Sequence, residues 1–195
     1  MIADPFAETA GLANKSENLF TTPSAIARIW RAHDWERDMV ISAEDTTDPN
    51  GRAMTFHWRL LRGDPERVRI APLDPQGRRV RVTMAWHDAY RAPQYRPGTG
   101  NAPLTSRVDI AVFANNGATL SAPAFMSVSF PTHQIRSYAP GPGGHLRLET
   151  IDYDATARAA LYDPILHWSA PWRDTFRYAP SGVLLGWQRR QGTDE

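Results

Sequence analysis

From residue 79 to residue 84 the chain alternates strictly, with Val80, Val82 and Met84 apolar and Arg79, Arg81 and Thr83 polar between them, and Trp86 keeps the apolar register. A period of two is the signature of a strand with one wet face and one buried face. The same period recurs at Met54, Phe56 and Trp58 against Thr55 and His57, at Val108, Ile110 and Val112, and at Ala124, Met126, Val128 and Phe130. Shorter apolar runs at Met39 to Ala43 and Val68 to Ile70 complete a set of strands separated by turn signals: Asp48-Pro49-Asn50-Gly51, "RGDPER", "DPQG" and Asn116-Gly117. Asn116-Gly117 predicts a terminal hairpin, and Pro131 predicts the end of that sheet, because proline cannot donate to a ladder.

The flanks have a different texture. Residues 1–22 carry few apolar anchors and read as an extended leader or linker. The stretch "TPSAIARIWRAHDWERD" fits a short helix from Ser24 or a strand opening a sheet, and its pattern does not choose between them. Residues 87–106 hold three prolines and no period, which predicts a long loop inside the 23–131 region; such loops are often functional. In the tail, 132–195, "IRSYAPGPGGHLRLETIDY" and "TFRYAPSGVLLGWQRRQ" resemble each other, and each predicts a β-hairpin centred on its glycines. Between them "DATARAALYDP" predicts a turn of helix capped by Asp154, and Trp168 and Trp172 follow.

Composition sharpens this picture by exclusion. The 195 residues are enough for a real core, and 16 prolines, 13 glycines and seven tryptophans favour short strands over helices. There is no cysteine, so disulfides, thiolate catalysis and Cys-type zinc sites are out. Twenty-two basic against 21 acidic residues leave a net charge of +1, which gives no electrostatic case for nucleic acid. No apolar run reaches membrane-spanning length, and the N-terminus lacks the basic and apolar regions of a secretory signal.

At "DTTDPNGRAMTFHW" the chain resembles the polycystic-kidney-disease (PKD) type of immunoglobulin-like module. Asp48, Pro49, Asn50 and Gly51 match the family's turn, Met54, Thr55, Phe56 and Trp58 match the strand after it, and "RVDIAVFANNG" matches its closing strands. The resemblance covers roughly residues 36–131. It implies an all-β fold: a two-sheet immunoglobulin-like sandwich with little helix, the tail adding a β-hairpin-rich extension packed upon it. It also implies a non-catalytic accessory module, a spacer or a binder of carbohydrate or of another protein or domain of the same polypeptide. The setting it implies is an exported bacterial protein: secreted, periplasmic or at the cell surface.

Physically, the Asp-Pro-Asn-Gly corner reverses the chain so that Phe56 and Trp58 can enter a two-layer core. Three further readings concern chemistry. Asp45, Asp48 and Asn50 offer oxygen ligands for a structural calcium, but no acidic residue closes an EF-hand spacing and aspartates in turns usually bond their own backbone, so no cofactor is expected. His87 and Asp88 stand where a strand ends and could form an acid–base pair of a small hydrolase, the alternative to a binding module; no motif completes that site. Trp86, His87, Tyr90 and Tyr95 are the expected ligand-binding residues, presented by the 87–106 loop. Trp30, Trp35, Trp168, Trp172 and Trp187 are expected to seat the tail on the sandwich, the alternative being an aromatic platform for sugar rings or peptide prolines.

Overall fold

The computed structural model describes residues 2–4, 17–91, 104–132, 134–153 and 172–191. Among the described residues fifteen strands account for the regular structure, and the one helical element is a 3-10 turn at Pro142–Gly144. No described helix is long and apolar enough to cross a membrane.

Two sheets build the sandwich. The first joins β1 (Ile2–Asp4), β4 (Glu36–Ser42), β7 (Arg79–Ala85) and β6 (Val68–Pro72) in that order. The second joins β2 (Asn18–Thr21), β3 (Ala25–Ile29), β11 (Ala124–Ser129), β10 (Arg107–Asn115) and β5 (Thr55–Arg62). All pairings are antiparallel except β3 with β11. The alternating apolar positions meet between the layers: Met39, Ile41, Val80, Val82 and Met84 from the first sheet, and Val108, Ile110, Met126 and Val128 from the second. Thr83 is buried as well, because its hydroxyl reaches Asp38 Oδ1 at 2.7 Å. "AIARI" is a strand, β3, in the open choice left by its pattern.

The described parts of the 1–22 stretch are extended and paired. Ile2–Asp4 pairs with β4 and Asn18–Thr21 pairs with β3, so both ends of the 1–22 stretch are edge strands of the sandwich. An edge strand is bonded on one side only and needs few apolar residues; β2 is exposed throughout, so it carries no periodic signal. Next to it Glu17 is buried, its Oε1 accepting from the backbone N–H groups of Arg31 and Ala32 at 2.8 Å each and its Oε2 from the Arg37 guanidinium.

The tail forms its own sheet in the order β12 (Ile135–Pro140), β13 (Leu146–Asp152), β14 (Trp172–Tyr178), β15 (Leu184–Gln191). Both expected hairpins are present, closed at Pro142–Gly144 and around Gly182. The expected helical turn after Asp154, and Trp168, lie outside the described residues. Leu148, Ile151, Tyr153 and Phe176 make a small second core. The sheet is seated on the sandwich by Arg136, whose guanidinium lies 3.9 Å over the Trp86 ring and donates through Nη1 to Ala32 O at 2.6 Å. Tyr138 packs edge-on against Trp35 at 5.0 Å, and His33 against Phe176 at the same distance.

Candidate functional site

Two Asp-Pro-x-Gly corners shape one end of the sandwich. Asp48 Oδ1 accepts from Asn50 N–H at 2.8 Å and its Oδ2 from the Asn116 side-chain amide at 2.6 Å, which ties this corner to the β10–β11 turn. Those bonds, that from Asn116 foremost, hold the Asp48 carboxyl below the usual carboxylate range. Asp74 is bound in the same way by the N–H groups of Gln76, Arg78 and Arg79, and its carboxyl is lowered chiefly by the Arg78 bond. With its oxygens committed to the turn, Asp48 acts as a brace in the trio Asp45, Asp48 and Asn50. Among the described residues no group of three metal-ligating side chains forms.

The second corner, rather than the first, anchors Trp58. The Trp58 indole N–H donates to Gly77 O at 2.8 Å and Phe56 N–H donates to Gln76 O at 2.8 Å, so the turn grips the start of β5. Trp58 packs against the main core but stays half-buried, forming a wall of the space beyond it. The full burial expected of it belongs to Trp30 and Trp86 at the other end, each 0 % exposed and in contact with Phe130.

The expected ligand-binding residues sit differently from their sequence reading. Trp86 cannot touch a ligand: it is core, and its indole N–H donates to Asp88 Oδ1 at 2.8 Å. The chain stays inside the sandwich past β7 because Trp86 N–H bonds Trp35 O. His87 is 2 % exposed, with Nδ1 donating to Ala85 O at 2.8 Å and Nε2 accepting from Asp64 N–H at 3.1 Å; these two partners fix a neutral tautomer. Burial, with Arg67 nearby, pushes the imidazole below its ordinary range. Tyr90 donates to Arg107 O at 2.8 Å, and burial raises its hydroxyl. Tyr95 lies outside the described residues. Within the 87–106 stretch, β8 (Tyr90–Arg91) pairs with β9 (Leu104–Thr105), so the loop begins as a bonded stem.

A shallow groove of about 370 Å³ does pass His87, Asp88, Asp64 and Arg67. Its histidine nevertheless cannot take a substrate proton without releasing the Asp64 N–H, and Asp88 faces the Trp86 indole, so among the described residues no nucleophile–base pair is assembled there.

The larger opening is a cleft of about 570 Å³ between the two sheets, beside the first corner. Its floor is apolar: Ile26, Ile41, Trp58, Val112 and Met126. Phe125, 42 % exposed, stands at the mouth. The rim is made by the β2–β3 turn and the start of the Asp45-Thr46 turn, with Ser24, Asp45 and Thr46 exposed. The hydroxyls of Thr22 and Ser42 are engaged with Ala25 and Glu44, whereas the side-chain oxygens of Ser24, Asp45 and Thr46 make no intramolecular bond among the described residues. Among the described residues no arginine or lysine lines the cleft. The volume and the mix of apolar floor with a few unengaged polar groups are those of a ligand site, which spans roughly 300–1,000 Å³.

The sequence pattern points to Asp45 only as a metal ligand, to Trp58, Val112 and Met126 only as core-facing strand positions and to Ser24 only as the start of a short helix; Thr46 and Phe125 carry no signal in it. Five separate segments meet at the cleft, and no local pattern in any of them records it. No protein-family model, curated protein or solved structure matches the chain.

Proposed function

We propose that this chain is a non-catalytic, immunoglobulin-like accessory module of the PKD type that binds a ligand in the cleft between its sheets, as part of a larger exported protein. The strand order supports the immunoglobulin-like part. Taking β1, β4, β5, β6, β7, β10 and β11 as seven successive strands, the first, second, fifth and fourth form one sheet in that order, and the third, sixth and seventh adjoin in the other. That is the arrangement of an immunoglobulin constant-type sandwich. The Asp-Pro-Asn-Gly corner before a tryptophan-bearing third strand supports the PKD part.

The observation that carries the binding reading is the contrast between the two concave regions. Around His87 the described candidates Trp86, His87, Asp88 and Tyr90 are each engaged in an internal bond, while the cleft presents Ser24, Asp45 and Thr46 unengaged above an apolar floor. Sites that bind are built this way, and fold alone would not distinguish them. The test is a glycan array and a peptide array probed in parallel with the chain and with Ser24→Phe, which fills the mouth of the cleft. Binding that Ser24→Phe removes supports the reading; binding indifferent to it, or hydrolysis lost in Asp88→Asn, refutes it.

A further inference from the structure

Resting on that reading, the geometry points to the occupant of the cleft: an extended peptide segment that inserts one bulky apolar side chain and sets a lysine or arginine beside it against Asp45. Three features of the cleft lead there. The floor of Ile26, Ile41, Val112 and Met126 with the half-buried Trp58 offers almost no hydrogen-bond partners at depth. A sugar placed there would leave its hydroxyls desolvated and unpaired, which is costly, whereas an aliphatic or aromatic side chain gains by the same burial.

Charge supplies the second constraint. Among the described residues no arginine or lysine lines this cleft, and the only charged group lining it among them is the Asp45 carboxylate, which has no cation of its own there. The neighbouring Glu44 is paired with Arg79 at 3.9 Å, so the charge of the rim rests on Asp45. An anionic ligand would meet repulsion there with no counter-charge, and a cationic one completes the rim. Third, the Ser24 and Thr46 hydroxyls flank the mouth, where a peptide's own N–H and C=O groups would emerge from the cleft and need partners.

The test uses acetylated nonapeptides in which one central position is Leu, Phe or Ala and the next is Arg, Gln or Glu, titrated against the chain at low salt and followed by fluorescence anisotropy. Leu-Arg and Phe-Arg peptides are expected to bind roughly three- to tenfold tighter than their Gln counterparts, in keeping with an exposed to partly desolvated ion pair. Ala in place of Leu weakens binding further. Asp45→Asn removes the preference for Arg over Gln while leaving the Gln peptides unchanged. Glu peptides binding as well as Arg peptides, or an Asp45→Asn protein that keeps the preference, overturns the assignment of the occupant. If peptides of every charge lose binding with Ser24→Phe but show no charge preference, the cleft stands and the occupant proposed for it falls. Glycan binding that Ser24→Phe abolishes has the same effect.

Discussion

The indole N–H of Trp58 donates to the carbonyl of Gly77 at 2.8 Å, a bond between residues 19 apart that fixes the wall of the cleft to a turn on the neighbouring sheet. Gly77 has φ +69°, and a Cβ there would lie 2.7 Å from Phe56 O. Gly51, in the twin corner, has the same φ but nothing within 4 Å of a built Cβ. Left-handed strain alone costs an alanine about 1–2 kcal/mol. Gly51→Ala is therefore expected to lose about that much stability. Gly77→Ala loses clearly more, because backbone must also move, and it loosens Trp58. Urea denaturation of the two variants, read at the tryptophan fluorescence, checks the order; equal losses would contradict it.

Trp86 gives the sharpest division between a surface residue and a core residue. Because it is wholly buried between Phe130 and the Arg136 guanidinium, Trp86→Ala is expected to cost about 3–5 kcal/mol, the range for large-to-small changes in a packed core. A ligand-binding tryptophan on a loop would cost little. Thermal unfolding by circular dichroism decides between them.

His87 sets a pH dependence whose sign follows from its burial. Its folded-state pKa is lowered, so the unfolded chain takes up the proton first. The stability it contributes is full above the ordinary imidazole pKa of about 6.5 and declines as pH falls below that value toward the lower folded one. His33, also lowered by burial and by Arg136, acts in the same direction. Chemical denaturation of the chain and of His87→Phe across that range is expected to show a flatter acid limb in the variant. A catalytic role would instead appear as lost turnover with unchanged stability.

Arg136 is the peg between tail and sandwich. It is 5 % exposed, stacks on Trp86 and bonds Ala32 O and the Gln134 side chain. Losing a desolvated cation–π contact and charged hydrogen bonds of this kind costs about 2–4 kcal/mol. Arg136→Ala is expected to show that loss together with faster protease cleavage before β12, seen as a fragment ending near residue 131. Cleavage at the same rate in both proteins would mean the tail is held by other contacts.

The sandwich was legible where strands keep one face on a shared core. Val80, Val82 and Met84 alternate with polar residues because the layer above them is apolar and the face below is wet, and β5, β10 and β11 follow the same logic. Edge strands escaped the reading: Asn18–Thr21 is stabilised by backbone pairing and by Arg28 bonding Asn18 and Phe20 O, neither of which leaves an apolar period. His87-Asp88 read as the start of a loop because a His-Asp pair is polar, yet backbone partners at Ala85 and Asp64 let the imidazole sit neutral in the core. The cleft was invisible for a geometric reason. Ser24, Asp45, Trp58, Val112 and Phe125 come together only once both sheets are assembled.

Nuclear magnetic resonance titration of the isotope-labelled chain with the Leu-Arg nonapeptide tests the binding site most directly. The expected result is that the Trp58 indole N–H and the amides of Ser24, Asp45, Thr46 and Phe125 shift together with one affinity, while Tyr90, Arg91 and Thr105 stay in place. Shifts confined to the Tyr90–Thr105 stem, with the Trp58 signal unmoved, would contradict it.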